Sequence, residues 1–379
     1  MHTIGIDYTP AYEQGAGIGR LVRDLVAALS EEDTRTSYRM FVSGIHSSVK
    51  LPSLPSNFEW RVTGLSPQWL ARIWHRLRLP VPIELFIGRV DLFHATDFVL
   101  PPTLPGTKTI LTVHDLSFLR VPETASPRLR RYLERVVPRS VYQTDHVIAD
   151  SQATKDDLME YYGIKSDKVT VLLSGIHPSY KPVDNAVRLM TMRRKYAIPD
   201  ISYILSVGTV QPRKNYSRMI QALRQLRDQG YSHHLVIAGG KGWLEDEMYR
   251  VIEETDMSDR VHLIGFVDDE DLPSLYSAAD CIGFPSLYEG FGFPILEGMA
   301  CGTPVVTSNR SSLPEVAGDA ALLVNPFDTN EIAAAFRRIL SEETLRKHLI
   351  TSGFEQVKKF TWKQSAQELR QIYQQVLSH

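Results

Sequence analysis

The feature of this chain that most constrains its fold is an alternation of short apolar runs with segments of helical periodicity, repeated from one end to the other. In the first half, the predicted strands are Thr3–Asp7, Tyr38–Ser43, Phe58–Thr63, Val90–Ala95, Thr109–His114, His146–Ala149 and Lys168–Leu173. In the second half, they are Tyr203–Val207, His234–Ala238, Val261–Gly265, Cys281–Phe284, Pro304–Thr307 and Ala321–Val324. Strands that alternate with helices form βαβ units, so the pattern predicts an α/β chain with mostly parallel sheets.

The length of the chain predicts two domains, because a single hydrophobic core stops growing well below 379 residues. The segment Ser174–Asp200 is interrupted by prolines and has no continuous strand pattern, which is typical of a linker. We therefore expect Rossmann-like domains over 1–180 and 181–360, facing each other across a cleft. Residues 361–379 have apolar positions at helical spacing, which predicts a helix that packs on a domain face, with the N-terminal domain as the candidate.

Composition excludes several classes of partner. The chain has 42 basic and 44 acidic residues, so no field of one sign would hold it on nucleic acid. Cys281 and Cys301 belong to no cluster with zinc spacing, which predicts a reducing, cytoplasmic location and no structural metal. No signal-type segment opens the sequence and no run of about 18 apolar residues follows, so we expect neither export nor a membrane span.

The stretch from Tyr288 to Glu297 is the most informative part of the sequence. Gly290 and Gly292 follow a predicted strand and lead into a short helix, predicted over Pro294–Cys301, whose N-terminal amides favour phosphate or sugar oxygens. Glu289 in the loop and Glu297 in the first helical turn are expected to face one ligand, since a carboxylate accepts hydrogen bonds from vicinal hydroxyls. The alternative is that Glu297 only offsets the helix dipole and Glu289 is a solvated loop charge.

A second element follows the strand Tyr203–Val207. There, Arg213 and Lys214 stand at a strand-to-helix turn, with Asn215 predicted as the N-cap of the helix. Two adjacent cations at a strand end suit a diphosphate, because arginine supplies a fork of donors and lysine a point charge. A solvated basic pair in a loop is the alternative.

Two weaker signals lie in the first half. The run from Gly15 through Gly17 to Arg20 opens a helix after the first strand, but it departs from the dinucleotide GxGxxG spacing. With no acidic ribose ligand after the next strand, this disfavours a nicotinamide or flavin dehydrogenase. His114 ends a strand, where its neutral ring is expected to bond a donor sugar or phosphate; a structural histidine is the alternative.

Together these elements resemble the retaining nucleotide-sugar glycosyltransferases of family 4, which have the GT-B architecture. The resemblance covers nearly the whole chain, and its specific part is the pair of glutamates around Gly-Phe-Gly followed by Gly298–Val305. The other elements that carry it are the N-terminal glycine loop, His114-Asp115, Ile148–Ser151, Val171–Ile176, Pro212–Asn215, Ala238–Gly240, Leu263–Val267 and Pro285-Ser286.

The resemblance implies a role for each matching residue. The implied catalytic residues are His114 on the donor sugar from the N-terminal side, Glu289 beside that sugar, and Arg213 and Lys214 on the diphosphate. The implied donor-binding residues are Gly15, Gly17, Thr209, Gly240, Phe266, Val267, Gly290, Phe291, Gly292 and Glu297, the last of which would hold the ribose hydroxyls. Thr209 stands where many relatives have an arginine, so phosphate neutralisation is expected to rest on Arg213 and Lys214.

The activity that the resemblance implies is hexosyl transfer with retention, without a metal ion or a cofactor, from the C-terminal donor domain to an acceptor on the N-terminal side. The Pro212–Asn215 form resembles mannosyltransferases of surface-polysaccharide pathways, so GDP-mannose is the expected donor and UDP-glucose the second candidate. The expected acceptor is a glycan or a lipid-linked sugar. A non-catalytic sugar-nucleotide or glycan-binding module, an epimerase and a phosphorylase remain as alternatives.

Residues 61–78 combine arginines with tryptophan, leucine and isoleucine and contain no acidic residue. This composition predicts a surface helix that contacts anionic lipid, at the inner face of the membrane, or a charged acceptor. The alternative is a partly buried helix whose arginine stems cover apolar neighbours.

Overall fold

The computed structural model describes residues 2–15, 17–45 and 51–378. Contacts divide the chain into unit 1, comprising Met1–Leu116, Arg131–Gly175 and Trp362–His379, and unit 2, comprising Ser117–Arg130 and Ile176–Thr361. The segment Ser117–Arg130 thus belongs to unit 2, although sequence order places it in the first predicted domain. Within unit 2, its Val121 packs against Leu287 and Tyr288, and such long-range packing leaves no signal in local sequence.

The strands of unit 1 are β1 (Thr3–Asp7), β2 (Ser37–Ser43), β3 (Phe58–Thr63), β4 (Leu92–Ala95), β5 (Lys108–Val113), β6 (His146–Ala149) and β7 (Val169–Val171). Those of unit 2 are β8 (Tyr203–Val207), β9 (His234–Ala238), β10 (Val261–Gly265), β11 (Cys281–Phe284), β12 (Val305–Ser308) and β13 (Ala321–Val324). The helices of the first half are α1 (Thr9–Glu13), α2 (Gly17–Glu32), α3 (Pro67–Ala71), α4 (Glu84–Ile87), α5 (Ser117–Arg120), α6 (Pro127–Gln143) and α7 (Gln152–Tyr162). Those of the second half are α8 (Ala186–Lys195), α9 (Tyr216–Asp228), α10 (Asp246–Glu254), α11 (Leu272–Ser277), α12 (Phe293–Ala300), α13 (Leu313–Ala317), α14 (Thr329–Ser341), α15 (Glu343–Val357) and α16 (Trp362–Ser378).

Unit 1 contains a parallel seven-stranded sheet in the order β3-β2-β1-β4-β5-β6-β7. Every residue of β4 and β6 is buried, because helices cover both faces of such a sheet and favour continuous apolar strands. The predicted strands of this half are all present. The largest shifts are at β4, which begins at Leu92 rather than Val90, and at β7, which ends at Val171 rather than Leu173.

The C-terminal helix α16 belongs to unit 1 and packs on α2. Its apolar positions Ala366, Leu369, Ile372, Tyr373 and Val376 are all buried, as their helical spacing predicts. Burying each of the larger aliphatic side chains contributes roughly 1.5–3 kcal/mol, which is enough to hold a terminal helix in place.

Unit 2 contains a parallel six-stranded sheet in the order β10-β9-β8-β11-β12-β13. Helix α8 of this unit lies inside the segment Ser174–Asp200, which the sequence predicts as an irregular linker. The side chain of Asn185 caps this helix by accepting a hydrogen bond from the backbone N–H of Arg188 at 3.0 Å. Because prolines lie on both sides of this short helix, the sequence pattern does not predict it.

Each sheet has one point at which strand order reverses, between β1 and β4 in unit 1 and between β8 and β11 in unit 2. Open α/β sheets bind ligands in the crevice beyond the carboxyl ends of the two strands that flank such a point. A ligand site in unit 2 is therefore expected among the residues that follow β8 and β11.

No helix in the part of the chain that the structure describes is long and apolar enough to cross a bilayer.

Candidate active site

The loops after β8 and β11 bring Arg213, Lys214 and Glu289 into one cluster in unit 2. Arg213 Nη1 donates to Glu289 Oε2 at 2.6 Å, and Lys214 Nζ donates to Oε1 of the same carboxylate at 2.7 Å. Arg213 also donates to the carbonyl of Tyr288 at 2.8 Å and accepts a backbone hydrogen bond from Leu287 at 2.9 Å. The two loops are therefore joined by main-chain as well as side-chain contacts.

All three charged groups of this cluster are largely removed from water. Their side chains are 15% exposed for Arg213, 11% for Lys214 and 8% for Glu289. Burial alone would raise the pKa of Glu289, but the charges of Arg213 and Lys214 hold that pKa below its ordinary value. Two cations and one carboxylate leave the cluster with an excess positive charge. The alternatives of a solvated basic pair and a solvated glutamate are both wrong.

Gly208, the residue after β8, leaves room for the stem of Lys214. A Cβ at Gly208 would lie 2.9 Å from Lys214 Cε, closer than such atoms approach in proteins. On its other side, Lys214 Nζ lies 4.7 Å from the ring centre of Phe284, the last residue of β11. The lysine is thus held between the ends of the two strands that flank the reversal point.

Asn215 occupies the N-cap position of α9, as predicted, but its side chain does not cap the helix. Its backbone is left-handed, with a φ of 64°, and its side chain makes no capping hydrogen bond. The amide nitrogen instead donates to the carbonyls of Pro285 at 2.9 Å and Pro326 at 2.7 Å. Asn215 therefore ties the loop of Arg213 and Lys214 to the loops that follow β11 and β13.

Glu297 is almost fully buried, at 1% exposure. The predicted helix forms as α12 with Pro294 in its first turn, but it begins one residue earlier than predicted, at Phe293. Glu297 therefore lies just beyond the first turn, which contains no acidic residue. Glu297 Oε2 accepts a hydrogen bond from the hydroxyl of Tyr276 at 2.5 Å. Offsetting the helix dipole is therefore not the role of this carboxylate.

The glycine loop before α12 is fixed by two serines. Ser312 Oγ donates to the carbonyls of Glu289 at 3.0 Å and Phe291 at 2.8 Å, and Ser311 Oγ accepts from the Glu289 N–H at 2.9 Å. Gly292 then adopts a φ of 115°, which a glycine tolerates and other residues rarely do. The result is a loop whose backbone direction is set before any ligand arrives.

The other predicted donor-binding residues of unit 2 lie at the same edge of its sheet. Thr209, Gly240 and Phe266 follow the ends of the neighbouring strands β8, β9 and β10, and the carboxyl ends of parallel neighbours meet at one edge. Phe266 is 57% exposed, whereas Val267 is 4% exposed. Phe266 is therefore the member of this pair whose side chain is open to solvent.

His114, in unit 1, does not have the neutral ring that the sequence analysis expects. Its Nδ1 lies 2.7 Å from Asp150 Oδ2 and its Nε2 lies 2.9 Å from the carbonyl of Thr96. Burial alone would lower the pKa of His114, but the carboxylates of Asp150 and Asp97 raise it to about 9. This raised pKa favours the protonated ring near neutral pH, in which both N–H groups are directed at protein oxygens.

The glycine loop of unit 1 is described only in part. Gly15 is exposed and Gly17 begins α2, with no atom within 4 Å of a Cβ placed on Gly17; Ala16 lies outside the described residues. Close approach occurs instead at Gly19, where a Cβ would lie 1.8 Å from the carbonyl oxygen of Gln14. The packing constraint in this loop is therefore on a glycine that the sequence analysis did not single out.

Comparison with known proteins shows the family to which this chain belongs. A family model described as "Glycosyltransferase Family 4" matches residues 15–180, and one described as "Glycosyl transferases group 1" matches residues 190–356. The chain is 33% identical over 272 residues to the O-antigen chain mannosyltransferase B of Escherichia coli. The aligned region covers 72% of this chain and 71% of the relative. The chain belongs to glycosyltransferase family 4. The predicted family is thereby confirmed.

Two further relatives of this glycosyltransferase carry similar names. It is 32% identical over 292 residues to the serotype-specific mannosyltransferase WbdA of Escherichia coli, covering 75% of this chain and 35% of that longer protein. It is 27% identical to the O-antigen chain mannosyltransferase RfbU of Salmonella typhimurium, covering 78% of this chain and 76% of the relative.

Solved structures confirm the predicted fold class, α/β with two mostly parallel sheets, as that of GT-B glycosyltransferases. Sucrose-phosphate synthase from Thermosynechococcus elongatus superposes with a TM-score of 0.77 at 21% identity, covering 100% of both chains. Anabaena HepE, in complex with UDP and glucose, superposes with a TM-score of 0.73 at 17% identity, covering 99% of this chain and 100% of HepE.

In unit 1 of the glycosyltransferase, carboxylates that the sequence analysis missed lie at the reversal point. Asp7 ends β1 and Asp97 follows β4, and both line a cavity of about 160 Å³ together with Gln14 and Tyr132. Burial raises the pKa of Asp7 to about 6, and burial also raises that of Asp97, which accepts a hydrogen bond from Gln14 Nε2 at 3.1 Å. The sequence signal that could have identified Asp7 and Asp97 is their position at or just after the ends of predicted strands.

Residues 61–78 divide between exposed and buried side chains. The interpretation as a partly buried helix is therefore right for part of the segment, and contact with anionic lipid stays a prediction. Trp69 is 56% exposed and Leu77 is 63% exposed, on a helical segment formed by α3 and the π-helical turn Arg72–Arg76. Trp74 is 9% exposed and donates its Nε1–H to the carbonyl of Val81 at 2.8 Å. Arg61 lies in β3 rather than in the helix.

Within the described residues, Asp268, Glu270 and Asp271 are the acidic group close enough together to hold a metal ion. Lys195 Nζ already donates to Asp268 at 2.7 Å and to Asp271 at 2.6 Å. Asp268 and Asp271 therefore form an ion-pair cluster with Lys195 at the surface of unit 2, in the segment that follows β10.

Proposed function

We propose that this glycosyltransferase transfers mannose from GDP-mannose to a glycan or lipid-linked acceptor, with retention of configuration and without a metal ion. The observation that carries the proposal is the buried cluster of Arg213, Lys214 and Glu289 at the reversal point of the unit 2 sheet. The names of the relatives at 32–33% identity support mannose as the sugar.

The cluster has the chemistry that a diphosphate leaving group requires. When the bond between the sugar C1 and the phosphate oxygen breaks, negative charge develops on that oxygen, and fixed positive groups in a dry site stabilise it best. Arg213 offers a planar fork and Lys214 a compact charge, so the pair can contact different phosphate oxygens. These cations and the N-terminal amides of α12 supply the positive charge for which other enzymes use a divalent cation.

The carboxylate of Glu297 is assigned to the ribose. One carboxylate can accept two hydrogen bonds from vicinal hydroxyls, and Tyr276 fixes the orientation of this carboxylate through its 2.5 Å contact. The base then lies toward the exposed ring of Phe266 at the end of β10. Phe266 and the loop that leads into α12 both follow strands of one sheet, at the same edge.

Retention follows from attack on the same face that the leaving group departs. The acceptor oxygen forms its bond to C1 while the C1–phosphate oxygen bond breaks, and the acceptor proton passes to a released phosphate oxygen. Glu289 is held by two cations and is therefore a poor covalent nucleophile, which favours this front-face route over a double displacement.

The decisive experiment incubates the protein with GDP-mannose or UDP-glucose, with EDTA present and without acceptor, and follows release of nucleoside diphosphate. Slow hydrolysis of GDP-mannose that Lys214→Ala abolishes and Lys347→Ala preserves supports the proposal, since Lys347 lies on the surface in a pair with Glu343. Faster hydrolysis of UDP-glucose than of GDP-mannose would show that UDP-glucose is the donor. Binding without hydrolysis would show a non-catalytic module, and an inverted product anomer by NMR would exclude retention.

A further inference from the structure

A second cavity in unit 1, of about 450 Å³, lies outside the site described above. Its walls are the loop over residues 100–107, the second half of α6 and the chain that follows the π-helical turn. Three arginines line it, Arg78, Arg135 and Arg139, together with His75. A cavity of this size is sufficient for a small ligand.

The charge of this cavity is strongly positive. Asp145 is its acidic lining residue, and Asp145 Oδ2 already accepts hydrogen bonds from the N–H and the hydroxyl of Thr109, each at 2.8 Å. Over residues 2–15, 17–45 and 51–378, no carboxylate forms an ion pair with Arg78, Arg135 or Arg139. Three guanidinium groups around one hollow repel each other unless an anion joins them, and guanidinium forks match phosphate oxygens.

The backbone beside the cavity has an unusual and well-fixed form. The turn Arg72–Arg76 is π-helical, with the Leu77 N–H bonded to the Arg72 carbonyl at 2.8 Å. Arg78 follows with a left-handed φ of 55°, which costs a non-glycine residue roughly 1–2 kcal/mol. Single π-turns and left-handed residues of this kind concentrate at ligand sites, where the surrounding contacts hold them.

His75 adds a neutral donor to the cationic wall. Burial and the nearby charge of Arg139 lower the pKa of His75 to about 4, so the ring is uncharged at neutral pH. It can therefore donate an N–H to an anion without adding to the repulsion among the arginines.

The edge of the cavity is apolar and exposed. Leu79 lines the cavity and is 47% exposed, and the same segment carries Leu77 at 63% and Trp69 at 56% exposure. Exposed tryptophan and leucine beside basic residues are typical of a surface that lies in the headgroup region of a membrane. A ligand that reaches the arginines past Leu79 can therefore place an apolar part against this edge, outside the cavity.

We propose that this cavity binds the phosphate or diphosphate group of a lipid, whose apolar chain leaves past Leu79 at a membrane surface. The use of this site to anchor a lipid-linked acceptor rests on the proposed function, whereas phosphate binding itself does not.

The test is co-sedimentation of the full chain with phosphatidylcholine vesicles that contain either phosphatidate, with a terminal phosphate, or phosphatidylglycerol at equal surface charge. We expect at least tenfold tighter binding to the phosphatidate vesicles, and loss of that preference in the double variant Arg135→Ala/Arg139→Ala. Both residues are exposed on α6, so the variant is expected to fold. Inorganic diphosphate should compete with the phosphatidate vesicles.

The matched control is Arg76→Ala, which removes an exposed arginine of the same segment that does not line the cavity. Equal binding to both vesicle types, or an equal loss in Arg76→Ala, would show general surface attraction and overturn the proposal. Failure to bind phosphatidate vesicles, together with inorganic diphosphate binding that Arg135→Ala/Arg139→Ala weakens, would overturn the lipid assignment. No donor is present, so failure here is distinct from failure of the donor-hydrolysis experiment.

Discussion

Lys214 Nζ lies 2.7 Å from Glu289 Oε1, and this ion pair joins the loops that leave the two strands flanking the reversal point of the unit 2 sheet. Arg213 binds the other oxygen of the same carboxylate at 2.6 Å. The carboxylate thus fixes the positions of both cations. Under the proposed function, a diphosphate entering the site would meet cations whose directions are already fixed, which is the condition for electrostatic stabilisation without reorganisation.

Replacing Lys214 by alanine is expected to lower donor turnover by about 100- to 1,000-fold, the usual loss when one fixed donor is removed from a developing anion. The measurement is the rate of GDP release from GDP-mannose at saturating donor. Lys214→Arg keeps the charge but not the compact ammonium, and we expect it to recover only part of the rate. Turnover of Lys214→Ala within threefold of the wild type would remove this residue from the mechanism.

Replacing Glu289 by glutamine is expected to destabilise unit 2 by about 3–5 kcal/mol, because removal of one partner leaves buried charges uncompensated. Urea denaturation measures the loss. The control is Glu343→Gln, which breaks the exposed pair with Lys347 and is expected to cost at most about 1 kcal/mol. Since an added phosphate group would replace the missing negative charge, GDP should raise the melting temperature of Glu289→Gln more than that of the wild type. Equal GDP shifts in both proteins would contradict this account.

Much of the architecture and of the unit 2 cluster could be predicted from sequence. Strands such as β9 and β11 are buried along nearly their whole length and therefore form continuous apolar runs. Arg213, Lys214 and Glu289 follow two such strands, and the carboxyl ends of parallel strands share an edge. The rule that locates ligands at that edge is enough to bring the three residues together.

The rest depends on contacts between distant segments. Asn215 has an ordinary capping residue type, but the carbonyls of Pro285 and Pro326 bind its side chain and outweigh its capping preference. Tyr276 lies in a separate helix from Glu297, and no spacing rule connects them. The contact between His114 and Asp150 could be predicted more easily. His114 follows β5, Asp150 follows β6, and these two strands are neighbours.

The stability of unit 1 is expected to fall as pH rises through about 9, the raised pKa of His114 in the folded chain. The sign follows from linkage: a raised folded pKa gives stability that is fully present below the unfolded value of about 6.5 and is lost as the folded group deprotonates. The size is on the order of 3 kcal/mol for a shift of this kind. Urea denaturation between pH 6 and pH 10 measures it for the wild type and for His114→Gln, which should lack this component. A wild-type profile parallel to that of His114→Gln would contradict the assignment.

Tyr276→Phe is expected to weaken nucleotide binding while leaving the diphosphate contacts intact. The tyrosine hydroxyl donates to Glu297 Oε2 at 2.5 Å, and Glu297 is 1% exposed, so its loss leaves a buried carboxylate without one of its donors. A hydrogen bond to a charged group contributes about 1.5–3 kcal/mol, and even its lower end corresponds to roughly a tenfold rise in the dissociation constant of GDP.

Calorimetry with two ligands separates the ribose assignment from a general loss of structure. Under the proposed function, GDP contacts both the ribose site and the phosphate site, whereas inorganic diphosphate lacks a ribose. Tyr276→Phe should therefore weaken GDP binding and leave diphosphate binding within about twofold, or roughly 0.4 kcal/mol. Lys214→Ala should weaken both ligands, because its ammonium contacts phosphate in each. If Tyr276→Phe weakens diphosphate as much as GDP, the tyrosine supports the fold of the loop rather than the orientation of Glu297, and the ribose must be held elsewhere.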